Sequence, residues 1–197
     1  GGAWPNVEVI HNFNGCEQVD FHCPLMSVPH LINYDRKSQQ PTGTYLQVPK
    51  IKNKQRYKKI VENEGLKVGL VFSGSPNHRN DRNRSVNAKD LLRYMPEGAT
   101  YHVLQKVVSE AELTAVDTFH NVMTHSDLIE DYEDTAVLCS LMDLIVTVDT
   151  SVAHLAGTLG SKTLLMLPFV PDWRWGIYSE TTHWYPSMRV IRQEGNG

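Results

Sequence analysis

The run Asp149-Thr150-Ser151 stands between two patterned stretches. Before it lies the apolar, β-branched Leu144-Ile145-Val146-Thr147-Val148; after it Val152, Leu155, Ala156 and Leu159 recur at helical spacing up to Gly160. A tight strand-to-helix junction leaves backbone N–H groups unpaired at the positive end of a helix dipole, and a phosphate or diphosphate fits there. Asp149, Thr150 and Ser151 are all good N-cap residues, and Ala153, Ala156 and Gly157 keep the first turns slim enough for close approach. The same pattern also suits an ordinary corner of an α/β domain, most of which bind nothing. A second stretch, Ser73 to Ser85, places His78, Arg79, Arg82 and Arg84 within seven residues directly after an apolar run. Guanidinium groups donate in pairs to phosphate, although a charged surface loop has the same composition. A third, Pro168 to Gly176, sets Trp173 and Trp175 around Arg174, either as a binding wall or as a loop packed on the domain face.

These three stretches need a frame that brings them together. Val68–Phe72, Thr100–Leu104, Leu144–Val148, Thr163–Leu167 and Met188–Arg192 read as strands. Helices are expected over 86–94 with Ser85 as cap, over 109–115, over 134–141 and over 151–159. Residues 116–123 are ambiguous, with a strand through Phe119-His120-Asn121-Val122 as one reading. The order β-α-β-(α)-β-α-β-α-β predicts a doubly wound parallel sheet, Rossmann-like, with right-handed crossovers. Its strands would deliver all three loops to their C-terminal ends, where ligands bind in open α/β sheets.

The first 45 residues differ in texture. Short strands are expected at 7–10 and 19–23, then a helical turn from Pro24 that Pro29 limits, then a polar linker over 35–43. Gly1-Gly2-Ala3 reads as a cut or an added scar. Residues 1–45 are thus a remnant of a preceding domain or an edge addition, and 46–197 the main domain. The lysine-rich stretch 50–64 reads as a surface helix with a solvated basic face.

The 197 residues carry a net charge of −3 and are 41% hydrophobic, a globular composition that argues against a nucleic-acid partner. No apolar run approaches the roughly 20 residues that span a bilayer. Three cysteines without CxxC spacing fit buried thiols in a reducing cytoplasm. Nine histidines include no HExxH pair and no zinc-ligand cluster, so no metal is expected. Neither GxGxxG nor GxxxxGK[ST] occurs, which disfavours an oxidoreductase and a P-loop enzyme.

Four stretches together resemble the glycosyltransferase family 9 or heptosyltransferase-like domain. They are Gly69–Pro76, Asn80–Ser85, Val148–Gly157 and Leu167–Trp175. Phe21-His22-Cys23-Pro24-Leu25-Met26-Ser27 is similar to the end of that family's first domain. The resemblance implies a GT-B architecture whose second domain holds a nucleoside-diphosphate sugar without a metal or other cofactor. It assigns the donor diphosphate to Asp149, Thr150, Ser151, His154, Arg79, Ser73 and Gly74. Arg82 and Arg84 would stabilise the departing nucleoside diphosphate, with His22 as the one remnant of an acceptor base. Gln105, Glu130, Tyr132 and Glu133 would hold the nucleoside, and Asp172, Trp173 and Arg174 would form a substrate loop. Two departures stand out: Ser151 replaces the glycine of the usual DTGxxH turn, and most of the first domain is missing. No tetratricopeptide period is visible. The expected activity is sugar transfer to an unknown glycan, lipid or protein acceptor, completed by an N-terminal domain or a partner chain. The alternative is a nucleotide- or sugar-binding module without turnover.

Overall fold

In a computed structural model the described residues are Glu8, 19–35, 43–48, Lys50 and 54–195. The strand expected at 7–10 and most of the linker over 35–43 lie outside them. The chain divides into two compact units, Gly1–Thr42 and Gly43–Gly197.

In the first unit, residues 19–24 form no strand. A 3₁₀ turn at Leu25–Ser27 leads into α1 (Val28–Leu31). Pro29 sits in the first turn of α1 and does not end it, because the amide it lacks would be unpaired there in any case.

The second unit is built on six parallel strands: β1 (Leu66–Val71), β2 (Ala99–Val103), β3 (Val122–Thr124), β4 (Leu144–Val148), β5 (Thr163–Leu167) and β6 (Met188–Arg192). Their order is β3-β2-β1-β4-β5-β6, the doubly wound arrangement the element pattern predicts. Between them run α2 (Lys58–Val61), α3 (Asp81–Arg84), α4 (Ala88–Arg93), α5 (Glu110–Val116), α6 (Tyr132–Ser140) and α7 (Ser151–Thr158). Side-chain alternation along each strand splits the core into two. Val68, Leu70 and Phe72 of the β1 segment meet Leu91 and Leu92 of α4 on one face. Val71, Ile145 and Leu165 meet Leu138 of α6 and Ala153 and Ala156 of α7 on the other.

Several local expectations shift for definable reasons. The helix expected from residue 86 begins at Ala88 and is capped by Asn87, which accepts from the amides of Lys89 (2.9 Å) and Asp90 (3.3 Å). Ser85 is not the cap because its hydroxyl accepts from the Gly74 amide (3.0 Å) and donates to Asp81 (3.1 Å). The ambiguous 116–123 stretch supplies the end of α5, then β3 beginning at Val122. Asp131 caps α6 and starts it two residues earlier than expected. From residue 54 onward the basic stretch keeps its expected solvated face, with Lys58 and Lys59 exposed, on a shorter helix. It forms a 3₁₀ turn and α2, with Tyr57 and Ile60 buried in the core. Tyr57 donates to Asp134 Oδ1 (2.8 Å), and burial together with that carboxylate pushes its phenol up to about 12.

Candidate functional site

The strand order reverses between β1 and β4, and the crevice beyond their C-terminal ends is where doubly wound sheets bind ligands. Here it is a cavity of about 710 Å³, within the range of small-molecule sites. Its polar wall includes Ser73, Gly74, Arg84, Thr150 and Ser151; Val71, Leu104, Val107 and Ile129 supply apolar surface.

The α7 end of the crevice presents hydrogen-bond donors. Thr150 is the N-cap residue in extended conformation (φ −138°, ψ 173°), but its side chain makes no capping bond. Its Oγ1 is buried with no partner among the described residues. The Ala153 and His154 amides reach back to the Thr150 carbonyl (3.1 and 3.5 Å). The Ser151 and Val152 amides find no such partner among the described residues and open on the crevice with the helix dipole behind them.

Across from them stands Arg84. Its Nη1 donates to the Asp149 carbonyl (2.8 Å) and its Nε to Asp81 (3.0 Å). The arginine loop and the Asp149 turn are therefore neighbours on one crevice. Gly74 makes the approach possible: a Cβ at that position would collide with the Arg84 guanidinium. Arg79 and Arg82 are exposed and stand outside the crevice wall, which takes Arg84 alone of the loop's three arginines. Arg82 borders a different cavity, with Arg84 as the wall between the two.

Gln105 is buried and lines the crevice, yet its amide is engaged within the protein. Its Oε1 accepts from the Phe72 and Ser73 amides (2.8 and 3.2 Å). Its Nε2 donates to Ser73 Oγ (2.8 Å) and the Val107 carbonyl (3.3 Å). With both donors and both acceptor directions used, it fixes the Ser73-Gly74 turn and leaves no polar atom for a base or ribose. That departs from the nucleoside-binding role implied by the resemblance.

On the α6 side, Tyr132 is exposed on the rim. Glu130 lines the crevice, but its carboxylate is held by Arg56 (2.8 Å), which also reaches Asp134 (3.2 Å). Glu133 lies outside the wall. Lys106 is a further cation here, donating from Nζ to the Glu130 carbonyl. Its sequence signal is its place three residues beyond the end of β2.

His154 lies on α7 but faces away from this crevice. Its ring stacks on Trp175 (4.8 Å between centroids), and its Nδ1 is 2.9 Å from the Tyr185 hydroxyl. Gly157 lets the Tyr185 ring rest on the helix, since a Cβ there would strike it. Burial lowers the His154 pKa, with Asp149 opposing, and the imidazole packs and hydrogen-bonds within the domain. The tryptophan loop divides likewise: Trp175 is core, whereas Trp173 is 61% exposed under the Arg174 guanidinium (4.8 Å). Asp172 holds that arginine at 2.8 Å and accepts from its amide at 3.0 Å. None of these loop residues lines the crevice. His22 is exposed in the 1–42 unit.

Among the described residues, no group of three His, Cys, Asp or Glu side chains is arranged to hold a metal, and no helix is long and apolar enough to cross a membrane.

Fold and crevice together define a Rossmann-like α/β domain with an anion-ready helix terminus at its switch point. No family model matches the chain. Among curated proteins it is 34% identical over 71 residues to Protein FlbA of Caulobacter vibrioides, a match covering 36% of this chain and 12% of that protein. Among solved structures it is similar to the E. coli ADP-heptose LPS heptosyltransferase II, at 16% identity and TM-score 0.42 over 77% of this chain and 46% of that one. It is also similar to the C-terminal domain of a glycosyl transferase group 1 family protein (LpcC) from Francisella tularensis, at 12% identity and TM-score 0.43 over 79% of this chain and 82% of that one.

Proposed function

We propose that the 43–197 unit binds a nucleoside-diphosphate sugar and is the donor half of an inverting glycosyltransferase. The observation that carries this reading is the α7 terminus. Two amides and a buried Thr150 hydroxyl, all without partners among the described residues, face a crevice whose opposite wall holds Arg84. A diphosphate seated there receives N–H, O–H and guanidinium donors together. Positive charge at that point stabilises the departing nucleoside diphosphate without a metal. The apolar surface of Leu104, Val107 and Ile129, with Tyr132 at the rim, suits a base. The motifs shared with heptosyltransferase-like proteins support the same donor class. In this reading Ser73 and Gly74 shape the phosphate turn, and Gln105 positions it.

Binding without turnover is the second reading. It is favoured by the crevice being lined wholly by residues of the 43–197 unit, while His22, which the resemblance suggests as an acceptor base, belongs to the other unit.

A thermal-shift screen against UDP-, GDP-, ADP- and CMP-sugars tests the donor class, because a ligand that binds the folded state raises its melting temperature by mass action. At least one is expected to stabilise the wild type, and less so Arg84→Ala. No shift from any of the four removes the reading. Transfer or donor hydrolysis by the chain without an added partner rules out binding without turnover.

A further inference from the structure

The sheet is covered unequally. Along β5 and β6 one face is buried throughout by Thr163, Leu165, Leu167, Met188 and Val190. On the opposite face Leu164 and Met166 are half-buried and Ile191 is 48% exposed. Beyond this half-open face, at the C-terminal ends of β5 and β6, lies a cavity of about 760 Å³. It is walled by Met166, Phe169, Val170 and Ile191 on its apolar side and by Arg82 and Arg84 on its polar side.

The charge balance of that cavity is unlike that of the molecule. The chain as a whole carries a net charge of −3, yet the residues that line the cavity include three arginines and no Asp or Glu. Arg84 is paired with Asp81, whose side chain lies outside the lining. Arg192 shares a strand face with Met188 and Val190, and its guanidinium donates to the Trp175, Gly176 and Ser179 carbonyls on that side, so the cationic wall of the cavity is Arg82 and Arg84. Arg82 has no partner among the described residues, and its guanidinium is free to meet a ligand. Fixed cations beside apolar surface attract an anion that also has an apolar body.

We propose that this cavity is a second binding site, distinct from the β1–β4 crevice, for an amphipathic phosphate ester: an apolar chain or ring bearing a phosphate. The phosphate pairs with Arg82 in the bidentate geometry guanidinium favours, and the apolar body lies over Met166, Phe169 and Ile191. Whatever fills the crevice, this cavity offers charge and apolar area of its own. Arg84 separates the two occupants and touches both sites.

Calorimetric titration of the full chain with decyl phosphate below its micellar concentration tests this. Decyl phosphate is expected to bind at least tenfold more tightly than inorganic phosphate, decanol or decanoate. Arg82→Ala, a change at an exposed position, is expected to weaken it about tenfold, the loss of one charge-assisted pair. Ile191→Glu, also at a solvent-facing position, puts a carboxylate in the cavity and is expected to abolish binding while the melting temperature stays near that of the wild type. Equal affinity in wild type and Arg82→Ala overturns the site. So does competitive displacement of decyl phosphate by UDP or ADP, which would place the anion in the crevice. Decanoate binding as tightly as decyl phosphate overturns the choice of phosphate.

Discussion

The crevice at β1 and β4 and the cavity at β5 and β6 are nearly equal in volume, about 710 and 760 Å³, but they present charge differently. The crevice wall includes two cations, Arg84 and Lys106, and two carboxylates, Glu130 and Asp131, so its pull on an anion comes from oriented backbone amides. Those amides are fixed by the fold and lose no side-chain entropy on binding. The β5–β6 cavity has side-chain charge and no helix N-terminus like that of α7, and Arg82, exposed at its edge, has no partner among the described residues. Geometry selects in the first; net charge and apolar area select in the second. The two sites therefore respond to different mutations.

The largest expected effect comes from removing the close approach that makes the crevice. Gly74→Val drives a side chain into the Arg84 guanidinium, and overpacking of this kind costs about 1–3 kcal/mol of stability. Nucleoside-diphosphate affinity is expected to fall below detection in calorimetry. Retained affinity would show that Arg84 need not stand at the turn.

Next in size is Gln105→Leu. It strands the Phe72 and Ser73 amides that its Oε1 accepts from. Leaving buried donors unsatisfied costs about 1–3 kcal/mol. Chemical denaturation is expected to show that loss, together with weaker nucleotide binding; an unchanged midpoint would mean the clamp is not structural.

A third prediction concerns a pair that lines neither cavity. His102 and His125 are buried side by side, Nδ1 to Nε2 at 2.9 Å. Burial, with each other's proximity, brings His102 down to about 4 from 6.5, and burial lowers His125 as well. The unfolded chain therefore binds more protons than the folded one between those values, so stability falls as pH drops from about 6.5 towards 4 and levels off below that. Denaturation midpoints across this range are expected to follow that slope, flattened in His102→Leu. Greater stability at pH 5 than at pH 7 would reverse the assignment. The smallest effect belongs to Asn87→Ala, which removes the cap of α4 at a cost of about 1 kcal/mol and leaves ligand binding in both cavities unchanged.

The strands of the 43–197 unit were legible because buried parallel strands are short apolar runs: Leu144–Val148 and Thr163–Leu167 fall where the residue pattern puts them. Cap identities were less so, since Ser85 and Asn87 are equally good caps until Gly74 and Asp81 claim the serine. The meeting of Arg84 with Asp149 follows from both loops leaving the C-terminal ends of adjacent strands. Which of three arginines makes that contact does not, because it depends on the turn of a four-residue helix. His154 stands one turn from Ser151 in sequence, yet its direction is set by Gly157 and Tyr185, 31 residues apart from it in the latter case. The cationic cavity at β5 and β6 gathers residues from three distant segments, so no single stretch announces it.

The central claim is that free amides at the start of α7 hold a diphosphate, and Ser151→Pro tests it with little else disturbed. Ser151 is the first residue of the helix, where proline is tolerated, and the extended Thr150 before it is already compatible with a following proline. The substitution removes one N–H, while Ser151→Ala keeps it. Titration with the nucleoside diphosphate that stabilises the wild type is expected to show about tenfold weaker binding by Ser151→Pro, the loss of one charge-assisted hydrogen bond. Ser151→Ala should bind like the wild type, and both melting temperatures should be preserved. Equal affinity for Ser151→Pro and Ser151→Ala would contradict the account.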